Sequence, residues 1–353
     1  VFTSSVSAGG SQASDDTQTR LVSVFLPADP DTHPLYAMVV AGVETVTESL
    51  PDHEARITVV ESETPLGPDA LTGDAPAGEA PADDAIAPDG ASGTERVELV
   101  VVAGSPLAAS AVKAASQRPE TQFLLVDGAI PDSPNVANLL INRREQAYLA
   151  GFIAGMRLND FVEEDEAALA GLFFESGLLM AENVVRPAFR LGLRAARTNN
   201  DVLLRRHGRE GIEEEVERSL DVLERRNVPV VLPFHYRNVD EVVQAAAERE
   251  ELDIIRVDEQ DPDTGEDQTL AAVTLEVEDT VSQMVRDILN EGPEAVGTVR
   301  ADFRSGALSL ETDFSRFESA LPENSRTAIL EMADRLVSGD LTLDFEGLSW
   351  SAE

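Results

Sequence analysis

The sequence predicts an α/β protein of two lobes, each a mostly parallel sheet flanked by helices, joined by a hinge of several strands. Three observations predict it. Short apolar runs alternate with helix-length amphipathic stretches, the pattern of strand–helix–strand units. The alternation falls into two blocks, the first closing near residue 142 and the second near 269. A strand–helix pair is left over after 269, and its simplest destination is a return to the first block. At 353 residues and 42% hydrophobic content the chain is long and apolar enough for two cores.

Residues 1–20, rich in Ser, Thr, Gly, Gln and Asp, read as a flexible arm. The first residue is not Met and no signal peptide precedes it, so the chain is expected to be processed or trimmed. Leu21–Leu26 is a short apolar run ended by Pro27 and predicts a buried strand. A helix is expected over Leu35–Leu50, and a strand over Arg56–Glu61. Residues 62–94 turn to Ala, Pro, Gly and acid with no Lys or Arg, a low-complexity insert too polar to pack. The pattern resumes with strand Val97–Ala103, helix Pro106–Gln117 and strands Gln122–Asp127 and Val136–Asn142. Helix Arg143–Leu158 carries Ala147, Gly151, Ala154 and Gly155, small residues that permit close packing on a neighbour.

The second block reads strand Ala167–Phe174, helix Asn183–Arg197, strand Asp201–Arg206, helix Gly211–Arg226, strand Val228–Pro233, helix Asp240–Glu250 and strand Asp253–Val257. After a polar loop come strand Leu270–Val277 and helix Glu278–Asn290. Val296–Phe303 and Ala307–Glu311 are placed to form a hairpin, and Ser325–Val337 is the last long helix, before a tail carrying the lone Trp350. The expected division is 21–142 plus 270–297 for the first lobe and 143–269 plus 298–353 for the second.

Composition narrows the function. Lys+Arg is 27 against Asp+Glu 66, a net charge of -39, so no basic surface exists to replace the counterions of nucleic acid or to dock on anionic lipid. Lys113 is the lone lysine; excess carboxylate with almost no lysine suits a saline surrounding, where salt screens repulsion, or follows from an acidic proteome. With no cysteine, disulfides, thiolate catalysis and Cys-based zinc sites are excluded. No apolar run of the length needed to span a bilayer is present. Neither Gly-rich phosphate loop occurs, nor H-E-x-x-H, nor G-x-S-x-G, and the four histidines have no ligand spacing. Carboxylates are so abundant that a pair of them carries no signal for glycosidase chemistry, and Glu163–Glu166 and Glu213–Glu215 read as a solvated loop and a helix first turn before they read as cation sites. No enzyme, cofactor or metal is expected.

What remains is position. Open α/β sheets bind ligands beyond the carboxyl ends of their strands. The residues there are Asp29, Asp31 and Tyr36 after the first strand; Asp127; Phe174 and Glu175; Phe234, His235 and Tyr236; and Asp258 and Gln260. Aromatic faces and carboxylates recurring at these ends fit a flat polar ligand such as a sugar or nucleoside. Each residue has a plainer reading too, Phe174 and Phe234 as core and Asp127 as a turn cap.

The stretch Ile141-Asn-Arg-Arg-Glu-Gln-Ala-Tyr-Leu-Ala-Gly-Phe-Ile-Ala-Gly155 resembles the Tyr-Leu-Ala-Gly segment of the basic membrane protein (BMP) family, substrate-binding lipoproteins of ABC transporters with the type 1 periplasmic-binding-protein fold. Pro119–Asp127, Val185–Ala195, Ile254–Asp258 and Val277–Val281 are similar to further family segments, in the same order, over about residues 20–340. The resemblance implies two lobes closing on a purine nucleoside, with Asp127 and Asp258 at the family's aspartates. It departs at Asp29-Pro-Asp-Thr-His-Pro-Leu-Tyr36, which lacks the family's Ser and Asn; at Gln260, where a second Asp is common; at Leu275 for a lysine; and at Pro233-Phe-His-Tyr-Arg237 for a Gly-rich turn. The implied protein is extracytoplasmic, monomeric and lipid-anchored through a cysteine absent from this chain, and it delivers a small ligand to a membrane permease. A receptor that presents its ligand to a sensor, or a ligand-free surface interaction protein, would share the fold. A neighbouring permease gene or a sensor-kinase gene would separate the first two, and a cleft without aromatic walls would favour the third.

Overall fold

The computed structural model describes residues 20–30, 33–50, 52–60, 96–128, 133–159, 168–176, 178–197, 199–208, 212–234, 239–258 and 265–343. The arm up to residue 19, the 62–94 insert, the Glu163–Glu166 loop and Trp350 lie outside them. In chain order the first block is β1 (Arg20–Leu26), α1 (Pro34–Thr47), β2 (His53–Val59), β3 (Arg96–Ala103), α2 (Ala108–Gln117), β4 (Gln122–Val126) and β5 (Val136–Ile141). The second is α3 (Arg143–Leu158), β6 (Leu169–Glu175), α4 (Arg186–Ala196), β7 (Asp201–His207), α5 (Ile212–Arg225), β8 (Val230–Phe234), α6 (Val239–Ala247), β9 (Asp253–Val257) and β10 (Thr269–Leu275). The chain then runs through α7 (Glu278–Glu291), α8 (Pro293–Val296), β11 (Thr298–Ala301), β12 (Leu308–Glu311), α9 (Ser315–Ala320) and α10 (Glu323–Ser338).

These strands form two six-stranded sheets, ordered β11-β5-β4-β3-β1-β2 and β12-β10-β9-β8-β6-β7. The pairings are parallel except β10 with β12. The strands at the centre are apolar on both faces because helices cover both: β1 is buried from Leu21 to Leu26, and β8 and β9 are buried throughout. One apolar cluster runs through both lobes, from Val22 and Leu124 to Phe174, Leu232 and Ile255. Smaller clusters fill the opposite faces, around Val100 and Phe123 beneath α2 and around Phe173 and Leu220 beneath α5.

The structure corrects two sequence expectations. The sequence reading carries 270–297 to the first lobe as one piece, but β10 pairs with β9, and the chain crosses only after it. Among these residues the first lobe receives α7, which packs on α1: Ser282 Oγ donates to the Gly42 carbonyl at 3.0 Å. The hairpin expected from Val296 to Glu311 does not form either. β11 lies beside β5 in the first sheet and β12 beside β10 in the second, so residues 302–307 are a crossing. Both short strands find an open sheet edge in a different lobe, and that outweighs their closeness in sequence.

Three crossings therefore join the lobes, at β5–α3, β10–α7 and β11–β12. They are tied to one another. Asn142 N–H donates to the Ala301 carbonyl at 2.8 Å, Glu276 N–H to Ala307 at 2.9 Å, and Phe303 N–H to Glu145 Oε2 at 3.2 Å. Burial of Glu145 pushes its carboxyl up to about 7, more than the Phe303 N–H draws it down, with Asp302 raising it further.

Helix α3 is anchored to α4 as its small residues suggest. A Cβ on Gly151 would lie 2.0 Å from the Phe189 carbonyl oxygen, and one on Gly192 would lie 2.0 Å from that of Tyr148. The two backbones touch, which fixes where the first turn of α3 points.

Candidate functional site

The first turn of α3 points into the junction of the lobes. Asn142 caps it, its Oδ1 accepting from Glu145 N–H at 3.3 Å. The next residue, Arg143, is 2% exposed and heads the largest fully buried side chains. A cation in a helix first turn works against the helix dipole, so other groups must hold it there. They are two carboxylates. Asp127 follows β4 in the first lobe and Asp258 follows β9 in the second, equivalent places in the two strand orders. Both adopt the left-handed backbone region, with φ 58° and 63°. Both donate their N–H to the neighbouring strand, Asp127 to Leu139 at 2.9 Å and Asp258 to Val273 at 3.0 Å. Left-handed backbone is uncommon outside glycine, and Asp is among the side chains that adopt it most readily.

The guanidinium joins the two. Nη2 of Arg143 donates to Asp127 Oδ2 at 3.1 Å, with Nε 3.3 Å from the same oxygen. Nη1 donates to Asp258 Oδ1 at 2.6 Å and to Gln146 Oε1 at 2.8 Å. Gln146 closes the ring, its Nε2 donating to Asp258 Oδ1 at 2.7 Å and to the Val273 carbonyl at 3.2 Å. The Phe234 ring, at the end of β8, lies 5.8 Å from the guanidinium carbon. Burial alone raises the pKa of Asp258. Arg143, His33 and the bonds from Gln146 and Arg143 outweigh it and hold the carboxyl below its ordinary range. His33 acts from the other lobe, where its Nδ1 caps α1 by accepting from Leu35 N–H at 3.2 Å. Its ring lies 4.6 Å from that of Tyr36.

The structure thus gathers Asp127, Asp258 and Phe234 around one cation, with the His33–Tyr36 pair beside them. Phe174 is core, fully buried, with Arg206 5.7 Å from its ring. Glu175 ends β6, buried. Asp29 is exposed after β1. Asp31, His235, Tyr236 and Gln260 lie outside the described residues. Among the described residues no cluster of side chains has the makeup to hold a metal, and no helix is long and apolar enough to cross a membrane. Sequence reasoning missed Arg143 and Gln146. The signal was present: an Arg immediately after a strand end and helix cap, where the dipole favours an acid.

The model of the Bmp family, described as ABC transporter substrate-binding protein PnrA-like, matches residues 20–331. The chain belongs to this family. No curated protein matches it by sequence. Among solved structures it is similar to an ABC transporter solute-binding protein from Aeropyrum pernix, at TM-score 0.69 and 16% identity, over 92% of this chain and 93% of that one. A solute-binding protein from Conexibacter woesei matches at TM-score 0.60 and 15% identity, over 92% and 98%. One from Burkholderia graminis, in complex with D-arabinose, matches at 0.57 and 11%, over 85% and 96%. At such identities these likenesses establish the fold, the two-lobed type 1 periplasmic-binding-protein architecture. As a Bmp-family member the chain is an extracytoplasmic substrate-binding protein of the ABC-transporter class, a class that takes a small-molecule ligand and works with a membrane permease. The family is one of binding proteins, not of enzymes.

Proposed function

We propose that this Bmp-family protein encloses a purine nucleoside, or a similar polar ring compound, between its lobes and delivers it to an importer. The carrying observation is the pair Asp127 and Asp258, one per lobe at equivalent strand ends, with the Phe234 ring beside them. Carboxylates accept from ribose hydroxyls and an aromatic ring covers a base. Binding of this kind drives closure only if the ligand contacts both lobes, and this pair lies on both. The ligand-binding roles of Asp29, Asp31, Tyr36, Glu175, His235, Tyr236 and Gln260 belong to the same proposal. So does a lipid anchor ahead of the 1–20 arm.

The test is thermal unfolding in high salt against nucleosides, bases, sugars and amino acids. A ligand at 100 times its Kd stabilises by about 2.7 kcal/mol. Adenosine, guanosine or inosine is expected to shift the transition, and Asp258→Asn to abolish the shift. A shift with a sugar alone would discard the nucleoside and keep the binding role; the arabinose complex of the Burkholderia graminis protein makes pentoses the first alternatives. One observation favours the ligand-free interaction reading instead: Arg143 already bonds both carboxylates. No shift with any compound would select that reading.

A further inference from the structure

The two aspartates are joined across the lobes by a side chain of the protein itself. Helix α3 belongs to the second lobe: it packs on α4, and Gln146 in its first turn bonds the Val273 carbonyl of β10. Asp127 belongs to the first lobe. The Arg143–Asp127 pair is therefore an interlobe contact, whereas Arg143–Asp258 lies within the second lobe. Both carboxylates are nearly water-free, with side-chain exposure of 4% and 6% against 2% for the guanidinium. At that burial salt screens the pair little, and removing one partner while the lobes stay closed leaves a charge buried and unpaired. His33 adds a second first-lobe group facing Asp258.

We propose that Arg143 is an intramolecular occupant of the cleft: it links Asp127 to Asp258 in the ligand-free protein, holds the lobes together, and determines selectivity because any ligand reaching these carboxylates displaces it. What is displaced rests on the solute-binding reading above; the link itself does not. Selectivity follows from charge. A neutral diol also donates to the carboxylates, but it brings neither the opposite charge nor the planar bidentate fork of a guanidinium. A ligand that brings its own planar cation competes on equal terms.

The chain has no cysteine, so a Lys113→Cys/Arg218→Cys pair, on exposed faces of α2 and α5, takes two spin labels uniquely. Pulsed electron–electron distance measurements on the unliganded protein then read the lobe separation. The expected result is one short-distance population, with Arg143→Gln and Asp127→Asn each moving weight to longer distances. The closed-to-open ratio is expected to fall about tenfold or more, equivalent to about 1.4 kcal/mol. Asn suits the left-handed backbone at 127, so that variant carries the test if Arg143→Gln does not fold. A long or broad distribution in the unsubstituted protein, or one unchanged by Asp127→Asn, overturns the proposal. Since no ligand is present, this outcome is separate from success or failure of the ligand panel. In that panel, Arg143→Gln is expected to bind a diol-bearing nucleoside more tightly than the parent, and equal affinity would refute displacement.

Discussion

Glu145 and His207 respond to pH in opposite directions. The Glu145 carboxyl, pushed from its ordinary 4.5 up to about 7 by burial, keeps a proton in the folded protein that the unfolded chain has released. Between those two values stability falls as pH rises, by at most about 3 kcal/mol, less where water reaches the carboxylate. Burial holds His207 from its ordinary 6.5 down to about 4, so the unfolded chain binds the proton first. Its contribution is complete above 6.5 and is lost as pH falls towards 4. Across the shared window the slopes oppose. Urea unfolding in pH steps is expected to give a shallow profile for the parent, a rising one for Glu145→Gln and a falling one for His207→Gln. Superimposable profiles for parent and Glu145→Gln would sink the assignment of the hinge carboxyl. At this scale the sequence was legible where position decides: Asp127 and Asp258 each follow a strand, and the structure brings the two carboxylates to one arginine. Arg143 was less legible: its place just after a helix cap marks it as unusual, but its partners stand 16 and 115 residues away and no local pattern names them.

The α3–α4 contact shows how an element carries a site. Arg143 reaches both carboxylates because the helix behind it is seated backbone-to-backbone on its neighbour. Replacing Gly151 with Ala places a methyl where the Phe189 carbonyl oxygen lies, 2.0 Å away. We expect the variant to lose about 1–3 kcal/mol in chemical denaturation, the usual cost of overpacking. A neutral result would mean that the helices slide apart freely. The small-residue spacing at Ala147, Gly151, Ala154 and Gly155 made this contact readable. The β11–β12 crossing was unreadable for the opposite reason. Two short strands around a tight turn carry the same local pattern whether they pair with each other or with separate sheets, and only the free edges of β5 and β10 decide.

At the scale of the molecule the dominant fact is charge. A net charge of -39 on one chain repels itself, and water at low ionic strength screens it poorly. Raising salt from 0.1 M to 1 M shortens the Debye length from about 10 Å to about 3 Å. The melting temperature is expected to climb over that range in a scanning fluorimetry series, and a flat or falling series would show that surface repulsion is not a significant destabilising term. The two-lobed plan was legible because alternating strands and helices in two blocks leave few alternatives. The partition of residues after 269 was not, since it depends on which sheet accepts each returning strand.

The three crossings also set the order in which the molecule can be completed. The first sheet lacks its edge strand, and α1 lacks its packing partner α7, until residues 278–301 have been made. By then the ribosome has passed through β6 to β10 of the second lobe, with β12, α9 and α10 still to come. At about 5–20 residues per second, the lag between β5 and β11 is on the order of ten seconds or more. During it the first lobe is an unfinished structure whose β5 edge lies open.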